Sequence, residues 1–448
     1  MTNNGSGKRS SRWIALACIA STALLLAACS SKSTNSSSNG SSGTTGTGSN
    51  TTGPTLPPPA KLTGTLSGPG VTATTITLGQ ITTTSGPVPG LFQGANDGLS
   101  AWAAWVNANG GIDGRQIKLR QSDDALNCNN YSNEIKQDAG HVFAMVGTFT
   151  LGDTCGKTTL QANPSLPDIQ AATLDPTLYS IPNVFTPAPS PPGASTAGLQ
   201  YFKHRFPKDI THTASLVGAA AAANGKEDRL TAESIGYKYV YTRVIGNSET
   251  NYTSDILRMK ADGVKIVDLT AVAVGNDADF LQQAAQQNFK PDVIFSSTGY
   301  DPQLFKLLGN SSLADNVLYA PLAYALYLQG GPKAAPAVNT FLDWLPKGRS
   351  GATPNLFAVE AWAAGDLLLE AMRGAGPQIT GSSVLSALKK ITNFNDNGLI
   401  APTDPGQKVG GHCVLIAQVL NGKWTRVHPS SGFDCSGTYH NLPLSAIK

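Results

Sequence analysis

This sequence predicts an α/β chain folded as two doubly wound lobes with parallel-rich sheets, on three observations. Its 448 residues exceed what one hydrophobic core serves, so two lobes with added tails is the expected organisation. The stretch Thr75 to Asp124 reads as one βαβ unit, with a polar loop where the first strand ends. The same strand-then-helix pattern recurs through the second half with no short repeat period, so the halves resemble each other in pattern alone.

In chain order, the first element is a leader. Lys8, Arg9 and Arg12 precede an apolar run from Trp13 to Ala28, which reads as a signal peptide and is short for a stable membrane span. The formal charge of +3 comes from those three residues, so the remainder is about neutral and offers no basic patch for nucleic acid. Residues 29–70 are dominated by Ser, Thr, Asn, Gly and Pro, the composition of a flexible tether.

The first lobe opens at Thr75 with alternating Ile76, Leu78 and Gln80. A Thr/Ser/Gly/Pro loop follows, then a helix carrying Leu99, Trp102, Ala103 and Val106 at helical spacing, a Gly110-Gly111 stop and a strand over Gln116–Gln121. Short apolar strands at Phe143–Gly147 and Asp168–Ala172 each run into hydroxyl residues. Pro187, Pro189, Pro191 and Pro192 then mark a stiff crossover before a helix at Ser195–Phe206. In the second lobe, strands are expected at Tyr237–Thr242, Val264–Thr270, Asp292–Ser297 and Val317–Ala320, with helices at Thr250–Asp262 and Asp277–Asn288. A long helix spans Asn355–Met372. The chain ends in a hairpin, Val414–Leu420 with Trp424–Val427, whose Asn421-Gly422 suits the positive φ values of a type I′ turn.

Of the six cysteines, Cys18 lies in the leader. Cys128, Cys155, Cys413 and Cys435 form two local sets, and pairing within each set is the simplest of three connectivities. No C-x-x-C or H-x-x-x-H spacing points to a metal, and no cofactor is implied. The hydrolase, zinc-protease, phosphate-loop and dinucleotide motifs are absent, so no enzyme chemistry is expected. Asp123 and Asp124 could pass for a catalytic carboxylate pair, yet after a strand they read as loop-capping residues.

The order I-x-L-G, S-G-P, Phe92 with Gly94, A-W-V-N-A-N-G-G-I-D-G-R-Q-I-K-L and Asp123-Asp124 resembles the opening of the branched-chain amino acid binding lipoproteins of ABC importers, of the periplasmic binding protein type I fold. The likeness continues thinly from residue 72 to 428. It implies three crossover hinges, a first lobe from 71–190 and 321–405, and a second from 191–320 and 406–448. Leu26-Ala27-Ala28-Cys29 resembles a lipobox, which implies cleavage after residue 28 and lipid on Cys29. The implied partners are a small molecule, permease subunits and the membrane reached through Cys29. The implied receptor is a monomer of the cell envelope, outside the cytoplasm.

By the same resemblance, Ser85, Phe92, Thr148, Thr150, Ala172 and Thr173 form one cleft wall and Tyr300 belongs to the other. Loop amides and hydroxyls would bind a carboxylate there without a cation. Each residue also has a structural alternative: Ser85 in a turn, Phe92 in the core, the threonines as helix caps, and Tyr300 as a staple beside Asp301-Pro302. Where amino acid binders of the family place a Glu after the Val317–Ala320 strand to neutralise an ammonium group, this chain has Pro321-Leu322-Ala323, a departure that counts against an α-amino acid and leaves organic acids, aromatic acids and amides open as ligands. The leading expectation is a receptor that closes on its ligand and delivers it to a permease. A signalling sensor of the same fold and, more remotely, a secreted hydrolase are the other classes.

Overall fold

Alternation at Thr75–Thr82 places Ile76, Leu78, Gln80 and Thr82 on one face, all fully buried, and makes this strand the centre of the first sheet. The structure, a computed structural model, describes residues 53–59, 61–86, 89–246 and 248–447. The leader, Cys18, Cys29 and the tether up to residue 52 lie outside the described residues.

The first sheet runs Gln116–Asp123, Thr75–Thr82, Ala144–Val146, Asp168–Ile169 and Val184–Phe185, all parallel. The second runs Tyr239–Ile245, Thr213–Gly218, Ile266–Thr270, Val293–Phe295 and Leu318–Leu322 in parallel, then adds Leu415–Leu420 and Lys423–His428 antiparallel. In both sheets the strand that comes second in sequence lies outside the first, and the third lies on the first strand's other side. Each lobe therefore has a topological switch point between its first and third strands, where carboxyl-end loops diverge and leave a crevice.

The chain passes between the sheets three times: between Phe185 and Thr213, after Leu322, and before Leu415. On the second passage the helices Pro336–Gly348 and Leu356–Gly374 return to pack on Gln93–Ala108. Trp102 and Trp362 clamp the helix packing by donating to the two oxygens of buried Asp366, at 2.8 and 3.1 Å. Cys128 is bonded to Cys155 and Cys413 to Cys435. The turn at Asn421 and Gly422 has φ values of 53° and 69°.

Three elements escape a reading from pattern. Thr213–Gly218 is buried at every position, so it shows no polar alternation, as expected of an inner parallel strand. The helix Ala222–Ser234 follows it through a run of alanines that carries no period. The helix Pro336–Gly348 contains Pro346, which reads as a breaker but lies in its last turn. Gly193–Ser195 pairs with Tyr439–Asn441, so the helix after the first crossover starts at Ala197 and not at Ser195.

Candidate functional site

The carboxyl edge of the first sheet is organised by two aspartates. Asp123 accepts the amides of Thr84, Ser85 and Ala125 at 2.9, 3.3 and 2.9 Å. Desolvation is the largest single influence and pushes its carboxyl up, but the Ser85 hydroxyl and these amide bonds together outweigh it and hold the carboxyl at about 2. Buried Asp124 takes the Thr83 hydroxyl at 2.7 Å, the Leu126 amide at 3.0 Å and the Thr150 hydroxyl. Both act as loop caps, and every oxygen bond they make serves to fix loop geometry.

That network decides what the expected wall residues do. Ser85 is exposed and tied to Asp123. The Thr150 hydroxyl is spent on Asp124, and buried Thr148 accepts the Ile81 amide at 3.3 Å. Phe92 is buried edge-on against Phe149, 4.2 Å between centroids, and beside Phe357 at 5.1 Å, so it braces the loop from behind. Ala172 is half-buried. The Thr173 hydroxyl lies against the Tyr179 phenol, which accepts the Ser190 amide at 2.7 Å. What remains open at this edge is backbone: among the described residues, the amides of Thr150, Ala172 and Thr173 donate to no other group.

In the second lobe, Tyr300 is 0% exposed, packed edge-on against Tyr327 and Trp424, while its carbonyl accepts the Tyr327 hydroxyl at 2.9 Å. It shapes the loop from within. A bond that joins the lobes lies close by. Tyr324, on the chain leaving the second sheet, donates at 2.6 Å to Glu360 on the long helix over the first sheet. Glu360 is only 8% exposed, and burial, partly offset by that bond, raises its carboxyl to about 7.

A half-open cavity of about 240 Å³ sits at the carboxyl edge of the second sheet, beside the crossovers. Strand ends at Thr270, Ser297 and Ala323 reach it, and Phe202 of the helix Ala197–Arg205 forms part of its wall. Asp228 and Asp268 also line it. Neither acid stands out in the sequence: Asp268 lies inside an apolar strand and Asp228 on a helix among other charged residues, and they meet only because the helix Ala222–Ser234 packs beside the paired strands Thr213–Gly218 and Ile266–Thr270.

Comparison with known proteins fits this architecture. A family model described as periplasmic binding protein matches residues 75–423, more than half of the chain. No curated protein sequence matches. A fatty acid ABC transporter substrate-binding protein from Thermomonospora curvata superposes with a TM-score of 0.66 at 16% identity, covering 82% of this chain and 94% of that one. A branched-chain amino acid transporter substrate-binding protein from Streptococcus pneumoniae, in complex with isoleucine, gives 0.63 at 18% identity, covering 79% and 100%. A solute-binding protein of an R. palustris ABC transporter, in complex with 4-hydroxybenzoate, gives 0.64 at 16% identity, covering 81% and 98%. With two sheets wound alike, three crossovers between them and a family model that spans both, this chain belongs to the periplasmic binding protein family and has its type I fold.

Proposed function

We propose that the protein is a lipid-anchored receptor outside the cytoplasm that closes its lobes on a small organic ligand and delivers it to the permease of an ABC importer. The observation that carries this reading is the paired switch points: each sheet offers a crevice at its carboxyl edge, and three crossovers let one lobe swing on the other. A ligand held by both lobes contacts the second only on closure, so its binding energy shifts the population toward the closed form. The similar proteins named for fatty acid transport, or in complex with isoleucine or 4-hydroxybenzoate, support a small organic ligand as the cargo. On the first lobe, the free amides of Thr150, Ala172 and Thr173 are the proposed contacts. Ser85, Thr148, Phe92 and Tyr300 hold the surrounding loops in shape.

The test is a thermal-shift screen of the purified chain against amino acids, carboxylates, amides and amines, followed by small-angle scattering on each hit. A ligand at ~100 times its dissociation constant adds ~2.7 kcal/mol of stability, and the radius of gyration should fall as the lobes close. Hits that leave the radius unchanged, or that are chemically turned over, would count against a receptor. For the anchor, metabolic acyl labelling of the full chain should vanish in Cys29→Ser, and labelling that persists would refute lipid attachment at that residue.

A further inference from the structure

We infer that the cavity in the second lobe is a seat for a primary ammonium group, held by Asp268 and Asp228 against a wall of Phe202 and Phe295. The inference rests on the receptor reading above and adds the chemical class of the ligand. The cavity lies at the carboxyl ends of Ile266–Thr270, Val293–Phe295 and Leu318–Leu322, beside the helix Ala197–Arg205 and facing Asp228 of the helix that follows Thr213–Gly218.

Its lining is one-sided in charge. Two carboxyls face it, and among the described residues no Lys, Arg or His does. Asp268 is 3% exposed; one of its oxygens takes the Thr270 hydroxyl at 2.6 Å, and the other has no hydrogen-bond partner among the described residues. The side chain is withdrawn from solvent, yet its second oxygen is left to the cavity without a protein donor among the described residues. Burial, with no cation to offset it, lifts Asp268 to about 8 and Asp228 to about 7.

An ammonium group supplies what is missing. It carries three donors, which the open Asp268 oxygen, Asp228 and the Ser297 hydroxyl can accept, and its charge would favour ionised carboxyls. Phe202 and Phe295 stack at 5.3 Å with 13° between their planes and give an apolar surface to the carbon body behind the charge. A carboxylate guest would meet two acids and no cation. The volume is below the roughly 300 Å³ at which ligand pockets usually begin, which limits the guest to a head group on a short body.

Isothermal titration calorimetry on the purified full chain should use matched probes: propylamine, propanol and propionate, and benzylamine, benzyl alcohol and benzoate. At least one amine should bind, with its alcohol and acid analogues at least tenfold weaker, which is about 1.4 kcal/mol. Asp268→Asn and Asp228→Asn should each weaken the amine at least tenfold while leaving the thermal transition sharp. Asn keeps the size of Asp and removes a buried acid, and the second variant serves if the first folds poorly. The inference is overturned if no amine binds at millimolar concentration, if an alcohol or acid binds as well as its amine, or if both substitutions leave amine affinity unchanged. A ligand that compacts the protein in scattering yet ignores both substitutions would remove the ammonium seat and spare the receptor reading. Failure of every ligand to compact the protein would remove the receptor reading itself.

Discussion

Gly98→Val should destabilise the protein by about 3 kcal/mol or more, measured as a lower urea midpoint with an unchanged slope. Gly98 lies where the helix Gln93–Ala108 crosses Leu356–Gly374. A Cβ there would fall inside the contact distance of the Ala358 carbonyl oxygen and stand 2.7 Å from the Ala358 Cα. The obstacle is backbone, so no rotamer change relieves it, and the helices must separate. Separation pulls Trp102 from Asp366 and leaves a buried carboxyl short of a donor. Gly365, on the opposite helix, meets the same pair from the other side, since a Cβ there would lie within 2.7 Å of the Trp102 Cγ. Gly275→Ala is the control. Nothing lies within 4 Å of its added Cβ, and it sits in the first turn of Val274–Gln286, so stability should hold or rise slightly. If Gly98→Val unfolds at the wild-type midpoint, the first lobe is not built on close contact of these helices.

The same helix pair shows how far sequence pattern carries. Leu99, Trp102 and Val106 repeat at helical spacing because one face of Gln93–Ala108 must be apolar, and that face can be read without a structure. The Asn421-Gly422 turn is likewise readable, because local backbone geometry restricts which residues accept positive φ. The strand Thr213–Gly218 is not readable, since total burial erases alternation. The candidate site is legible only at its edges. Loops after strands can be located by composition, so Thr150 and Thr173 stand out and the resemblance adds Ala172, yet what the structure leaves unbonded at these positions is the amides, which carry no residue signature. Asp228 and Asp268 are 40 positions apart and are brought together by the pairing of Thr213–Gly218 with Ile266–Thr270 and by the packing of the helix Ala222–Ser234 beside them, long-range events that no local pattern encodes.

Stability should also fall as pH rises from 5 to 8, because carboxyls that fold into burial keep their protons. Burial lifts Glu360, Asp168 and Glu227 each to about 7 and Asp268 to about 8. Asp396, buried beside Asp366, is pushed well above its ordinary value by burial and then by its neighbour's charge. For each group the folded value exceeds the unfolded one near 4. Between those values the folded chain binds more protons, and the slope of stability against pH is negative. Its contribution is complete below about pH 4 and is lost as pH climbs through the folded value. For one carboxyl at about 7 the loss between pH 5 and pH 8 is about 2.7 kcal/mol. Two such groups acting together should lower the thermal midpoint by about 5 °C or more over that range. Glu360→Gln isolates one contribution. The amide oxygen still accepts the Tyr324 hydroxyl that ties the lobes, but the titration is gone, so the variant's midpoint should fall less steeply with pH than the wild type's. A wild-type midpoint that rises between pH 5 and pH 8 would mean that these carboxyls are ionised in the folded protein. Asp268 and Asp228 would then hold net negative charge in the second lobe's cavity before any ligand arrives, and an ammonium guest would bind without taking the place of protons.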